Sequence, residues 1–304
     1  MCAAGYFDLQ VNGYMGVDFN KDDLTAKELA AVCKHLSRHG VDGILATITS
    51  EHIDVMARRL VRIVELRAQD KVAAKMIPGF HIEGPFINET DGYRGAHPKD
   101  ATHGATPDEM KILLEAAGGL TRMVTLAPER DVKLRTTKML AKQGIKVSAG
   151  HCNPSLDELK GAIDAGLSMF THVGNGCPMM MHRHDNIVQR ALSYYKDLWL
   201  CFIADGAHVT FTALGNYLRS AGIDNCLVVT DAIAAAGMGP GHYTLGRWDL
   251  VIGKDMVARA PDGSHLVGAA YTMKDAYKNL TKKVGLSDRD ARKLLVTNPR
   301  KAIA

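Results

Sequence analysis

The sequence predicts a single (β/α)8 barrel, of the TIM type. Three observations carry that reading: eight short β-rich runs, segments of helical period between several of them, and polar residues collected at the ends of the runs. Alternation of this kind calls for a parallel sheet covered by helices, and eight repeats favour closure into a barrel. The 304 residues, 46% apolar and 23% charged, suffice for one large core. No Pro/Ser-rich linker or low-complexity tract divides them, so residues 1–304 are read as one domain. A doubly wound open sheet is the alternative, but it would collect its polar residues mainly at one switch point.

The first run is YFDLQV (6–11), and LTAKELAAVCKHLSRHG leads from it to GILATI (43–48). HIDVMARRLVRIVELRAQ then carries the chain to KMIPGFHI (75–82), with RMVTLA (122–127) and IKVSAG (145–150) following. SLDELKGAIDAG precedes LSMFTH (167–172), and LWLCFI (198–203) is joined by VTFTALGNYLRSAG to the eighth run, CLVVTD (226–231). The connecting segments place apolar residues at helical spacing and Gly near their ends. Beyond the eighth run, YTLGRWDLVIGKDMVARAPDGSHLVG has short alternating stretches and a DG turn, which predict a small antiparallel insertion before a last helix around MKDAYKNLTKKVG.

The net charge of +4 comes from 37 basic and 33 acidic residues with no long basic block, which argues against nucleic acid or an anionic membrane as partner. A small anionic substrate would need only a local basic pocket. The six cysteines form no CxxC pair, and the chain shows neither a secretory leader nor an apolar run long enough to span a bilayer. A cytoplasmic protein with reduced thiols is expected.

Four run ends carry the chemistry. Glu83 closes the third run in GFHIEGPFIN, where Gly84 and Pro85 make a rigid break after the carboxylate. His151 follows the fifth run in SAGHCNPS, and His172 ends the sixth in MFTHVGNG. One carboxylate and two imidazoles form a three-ligand set that leaves a position open for water, the pattern of a catalytic zinc site; Cys152 and Cys177 are alternative soft ligands nearby. Asp231, at the end of the eighth run, suits a general acid/base or, more blandly, a helix N-cap. His81 shares a strand face with Glu83 and reads as a buried, hydrogen-bonded imidazole. In FIADGAHVT, Asp205 reads as a turn former and His208 as a substrate contact. The stretch GNGCPMMMHRHDN offers the Asn175 and Gly176 amides and the Arg183 guanidinium to an anion, or is a solvated loop whose Met179 to Met181 pack on a neighbour or a sugar face.

These residues lie in stretches that resemble the N-acetylglucosamine-6-phosphate deacetylase family of the amidohydrolase superfamily. The matching stretches are DLQVNGYMGVDF (8–19), GFHIEGPFI (79–87), GAH (95–97), AGHCNPS (149–155), THVGNG (171–176), DGAHV (205–209), TDAIAAAGM (230–238) and DGSHLVGAAYTMKDAYKNL (262–280). The resemblance implies hydrolysis of the sugar acetamide at one divalent ion per chain, Zn2+ with Fe2+ or Co2+ as alternatives, held by Glu83, His151 and His172. It implies Asp231 as acid/base, passing a proton from the attacking water to the leaving amine, His97 and His208 as substrate contacts, and His208 as a further aid to the developing oxyanion. The sugar phosphate would meet Asn175, Gly176 and Arg183, the last supplied by the neighbouring subunit of a homodimer. Three departures stand out. Gln10 and Asn12 replace the HxH found on the first strand of many amidohydrolases, which argues for one metal. The accessory β-sandwich usual in the family is largely absent, and GNGCP stands where an Ala and a Met commonly follow the Asn.

Overall fold

The computed structural model describes residues 4–245, 248–263 and 266–304. Cys2, Gly246 and Arg247 of the expected insertion, and Ser264 and His265 of the DGSHLVG stretch lie outside the described residues. Eight parallel strands form one sheet: β1 (Tyr6–Val11), β2 (Val41–Thr49), β3 (Gly79–Glu83), β4 (Thr121–Leu126), β5 (Lys146–Ala149), β6 (Leu167–Phe170), β7 (Trp199–Ile203) and β8 (Cys226–Val229). They pair in chain order from β1 to β8, each joined to the next by a crossover, as the eightfold alternation requires.

Helices cover the outside because their sequences bury one stripe. In α1 (Ala26–Arg38) that stripe is Leu29, Val32, Cys33 and Leu36, and in α2 (Ile53–Ala68) it is Met56, Leu60, Ile63 and Leu66. Local chemistry starts several helices. Thr25 and Glu28 form a capping box at α1, and Ser155 and Glu158 another at the helix that follows β5. The third run departs from expectation. Lys75 and Met76 belong to a short helix, α3 (Lys71–Met76), whose first turn is capped by Asp70 Oδ1 accepting from Val72 N–H at 2.7 Å and Ala73 N–H at 3.2 Å; the strand begins only at Gly79.

The barrel closes between β8 and β1 with little backbone pairing. Val11 and Ala232 form a single parallel bridge, and Asn12 N–H reaches Ala232 O at 2.8 Å. Below them the Asp8 carboxylate bridges the seam, accepting from Thr230 N–H at 3.1 Å and from Thr230 Oγ1–H at 2.5 Å. Asp8 is buried, and that burial pushes its pKa up to about 7 against the opposing effect of the Thr230 and Gln10 hydrogen bonds.

After β8 the chain makes a three-stranded antiparallel sheet, β9 (Gly241–Leu245), β10 (Trp248–Ile252) and β11 (Ala258–Arg259), as the alternating pattern and DG turn predict. A small core of its own, including Ile233, Leu250, Ile252 and Val267, holds the sheet against the barrel mouth. The helix expected around MKDAYKNLTKKVG starts at Met273, capped by Thr272, but it is not the last: short helices at Asp288–Arg292 and Asn298–Ala302 follow.

Candidate metal centre

Glu83 is the last residue of β3, while His151, His172 and Asp231 each stand two residues beyond β5, β6 and β8. All three of the latter leave their strands in the left-handed region, with φ of 51° at His151, 32° at His172 and 54° at Asp231. The shared bend turns residues from three separate strands into one place. Positive φ is uncommon for residues with a side chain and collects at sites where geometry matters more than local stability.

The side chains converge tightly. His172 Nε2 lies 3.1 Å from Glu83 Oε1 and 3.1 Å from His151 Nε2, and His151 Nε2 lies 3.5 Å from Glu83 Oε1. His97, which the family resemblance assigned to the substrate, brings its Nε2 to 3.2 Å from His151 Nε2. Ligand atoms about 2.0–2.1 Å from a tetrahedral zinc stand about 3.3 Å apart, so these spacings match a shared ion. Two overlapping trios therefore meet the geometric requirement. Glu83, His151 and His172 satisfy it by their pairwise distances, and Glu83, His97 and His151 have ligand atoms within 4.8 Å of one another.

The protons decide whether an ion fits. His151 Nδ1 faces the Tyr93 carbonyl at 2.9 Å, a contact only an N–H can make, so in the neutral ring Nε2 carries the lone pair. His97 Nδ1 meets Ser50 Oγ at 2.7 Å, and that hydroxyl reaches the Glu83 carbonyl at 3.4 Å. With the Ser50 proton on the carbonyl, His97 Nδ1–H donates to Ser50 and leaves a second lone pair at Nε2. An Nε2–H on His172 given to Glu83 would still leave the His97 and His151 lone pairs facing each other. A cation among them removes that conflict, and carbonyl- or hydroxyl-fixed imidazoles are what a metal centre uses to orient its ligands. His172 Nδ1, by contrast, is buried with no hydrogen-bond partner among the described residues.

Electrostatics agree with the geometry. Burial opposes ionisation of Glu83, yet the His151 and His172 imidazoles beside it hold its pKa well below the usual carboxylate range. Burial, with His151 beside it, drives His97 down to about 3 and keeps it neutral. For His172 burial works against the charged form, but Glu83 outweighs it and the pKa is raised.

Asp231 stands on the β1 side of this cluster. Its Oδ1 accepts from Asn12 Nδ2 at 2.7 Å and from Gln10 Nε2 at 3.1 Å, while the same Gln10 nitrogen is 3.0 Å from each Glu83 oxygen. Gln10 and Asn12 thus turn donors toward the carboxylates where an HxH pair would offer ligands. Burial and the nearby Glu83 charge push Asp231 up to about 6, against the pull of His172, His208 and Asn12. His208 Nδ1 meets Asp205 Oδ2 at 2.7 Å, and Asp205 Oδ1 also takes the Ala207 and His208 amide protons. Asp205 is the turn former that the sequence suggests and also fixes the His208 ring, a second duty with no separate signal in DGAHV. His81 is buried and bonded through Nε2 to Thr125 Oγ1 at 2.7 Å, in keeping with a structural imidazole; burial drives its pKa down to about 4.

The remaining candidates lie farther out. Asn175 anchors its loop by donating Nδ2–H to the His172 carbonyl at 3.1 Å. Gly176 (φ 59°) packs on His151, where an added Cβ would come 2.8 Å from Nδ1. Arg183 is exposed, as are Met179 and Met180, whereas Met181 packs on the core. Cys152 is buried and Cys177 half-buried; neither joins a metal-type cluster among the described residues.

No family model matches the chain. Among individual proteins, the N-acetylgalactosamine-6-phosphate deacetylase of Escherichia coli is 30% identical over 291 residues, covering 96% of this chain and 74% of that protein. The N-acetylglucosamine-6-phosphate deacetylase of Caenorhabditis elegans is 30% identical over 294 residues, with 92% and 68% covered. The chain belongs to the N-acetylglucosamine-6-phosphate deacetylase family of the amidohydrolase superfamily. The bovine family member is 32% identical over 257 residues, and the chain spans 62% of its length. Solved structures of the family superimpose closely. A Mycobacterium smegmatis deacetylase mutant in complex with N-acetyl-D-glucosamine-6-phosphate gives a TM-score of 0.88 at 27% identity, covering 99% of this chain and 77% of that one. The Pasteurella multocida enzyme gives 0.86 at 29% identity, covering 99% and 76%. The family therefore accounts for the barrel.

Proposed function

We propose that the protein hydrolyses the acetamide of N-acetylglucosamine 6-phosphate, releasing acetate and glucosamine 6-phosphate. The observation that carries this reading is the contact between the Asp231 carboxylate and the cation-type cluster of Glu83 and three imidazoles, joined through Gln10. Glu83, His151 and His172 hold one divalent ion, Zn2+ in the first instance and Fe2+ or Co2+ otherwise, with His97 beside it. Such an ion, when bound, lowers the pKa of a water and polarises a carbonyl oxygen.

The chain's own residues supply the rest. Asp231 accepts the proton of the water that attacks the acetamide carbon, and gives it to the nitrogen as the C–N bond breaks. A carboxylate whose pKa is raised toward neutrality is well matched to both halves of that task. Asp205 holds His208 by Nδ1, leaving Nε2 as the ring atom available to the substrate carbonyl. Asn175, Gly176 and Arg183 serve the phosphate, Arg183 from the partner subunit of a homodimer. The five cysteines among the described residues are free, which supports a reducing, cytoplasmic setting; no helix among those residues is long and apolar enough to cross a membrane.

The galactosamine epimer is a second candidate substrate, because the Escherichia coli relative that acts on it aligns with 96% of the chain. The test is acetate release from both phosphorylated epimers and from unphosphorylated N-acetylglucosamine, using metal-reconstituted protein of measured metal content. Turnover confined to a phosphorylated sugar, at about one ion per chain, is expected. Loaded protein inactive on all three would overturn the substrate, and turnover of the unphosphorylated sugar at equal kcat/KM would remove the phosphate role of Arg183.

A further inference from the structure

Glu129, just beyond β4, has no role in the chemistry described so far, yet it touches the two loops that present Glu83 and His151. Its Oε1 accepts from Asn153 N–H at 2.5 Å, two residues past His151, and from Asn88 Nδ2 at 2.9 Å, five residues past Glu83. Asn88 passes both contacts on. Its own N–H donates to the His151 carbonyl at 2.9 Å, and its Oδ1 accepts from Thr90 N–H at 3.0 Å. The Thr90 carbonyl takes the Tyr93 N–H at 3.1 Å, and Tyr93 O is the acceptor that fixes the His151 ring. From the other side, Arg190 Nη1 holds Asn153 Oδ1 at 3.2 Å and Pro154 O at 2.9 Å, so Asn153 cannot drift to follow a lost partner.

We propose that Glu129 is a positioning residue for His151, bracing its backbone through Asn153 and its imidazole through Asn88 and the turn that ends at Tyr93. The brace works through one acceptor oxygen. Oε2 is buried and has no partner among the described residues, and burial raises the pKa of the group against the opposing Asn153 and Asn88 hydrogen bonds, so on balance this environment disfavours its charge. Gln retains the acceptor and discards the charge. This inference rests on the metal-centre reading only for one of its two readouts.

The first readout is the affinity of the metal-free protein for Co2+, followed by its visible absorption, in wild type, E129A and E129Q. Loss of an outer partner of a metal ligand costs about 10–100-fold in affinity. E129A should fall in that range with its thermal unfolding still cooperative, while E129Q stays within about threefold of wild type. The second readout needs no cation: amide exchange at Asn88 and Asn153 in the metal-free protein should quicken in E129A and keep its wild-type rate at Asn153 in E129Q. If E129A does not fold, N88A removes one of the two donors, and faster exchange at Asn153 with weaker Co2+ binding is expected. Wild-type affinity and exchange in E129A, or in N88A as its substitute, would overturn the brace; E129Q as impaired as E129A would overturn the acceptor-only account. A wild-type protein that binds no Co2+ would defeat the metal-centre reading while the exchange data still decided the brace.

Discussion

Asp8 shows how one buried acid can set the pH response of the fold. Its folded pKa of about 7 lies above the ordinary 3.8, so the folded state binds the proton more tightly than the unfolded chain. The contribution therefore favours folding below about pH 4 and is lost as pH rises through 7. Asp8→Asn keeps an acceptor for Thr230 N–H and places a donor opposite Thr230 Oγ1, whose proton can turn to Gln10 O, 3.4 Å away. Denaturant unfolding at pH 5 and pH 8 should show wild type losing more stability across that interval than D8N; equal losses would count against the assignment. At the mouth, Asp231→Asn should cut turnover by about 100- to 10,000-fold while leaving metal content unchanged, since it removes the proposed proton carrier and no ligand of either trio. Loss of metal in D231N would make Asp231 a ligand instead. Residues of this kind were legible because Glu, His and Asp at strand ends have few bland explanations in combination. Ser50, Tyr93 and Glu129 were not: a serine hydroxyl, a backbone carbonyl and a carboxylate in a single 3-10 turn gain their roles only from where the fold puts them.

Strands and helices declared themselves through period and caps, and the exceptions have local causes. The helix at Lys71–Met76 is one such case, because its apolar residues and Met76–Ile77 read equally well as the start of a strand, and only the Asp70 cap separates the two. Strand ends were read up to two residues too long at β6 and β8, where Thr171–His172 and Thr230–Asp231 look β-rich but occupy the bends that follow. Loops matter more than strands in shaping the site. Gly84 (φ 78°) lets the Glu83 loop approach Ser50, whose Oγ would stand 2.1 Å from an added Cβ. Gly176 (φ 59°) gives the loop after β6 the same freedom against His151. In this chain Gly176→Ala should shift His151 or the loop, lower Co2+ affinity about tenfold, and reduce stability by about 1 kcal/mol for a left-handed residue with a Cβ. Titration calorimetry and thermal unfolding check both parts; unchanged values would mean the loop relaxes without cost.

For the whole molecule, the eightfold alternation made the barrel legible from sequence, since a chain with this pattern has few other ways to bury both faces of eight strands. What sequence could not supply was the count of imidazoles within reach of one ion, because His97 lies on a long loop whose path depends on Arg94 and Ser50. The left-handed bends at His151, His172 and Asp231 carry a consequence of another kind. Three residues with side chains held in that region imply a stability–activity trade-off, in which the barrel is less stable than its core would permit so that its mouth can be productive. Asn tolerates the left-handed region better than most residues and carries no charge, so D231N, nearly inactive on the proposed mechanism, should melt about 1–2 °C above wild type in the absence of metal, a gain of about 1 kcal/mol. A metal-free D231N that melts at or below wild type would mean that Asp231 adopts its bend at no cost. If the gain is found, thermostability screens on this protein will select against the residue that does its work.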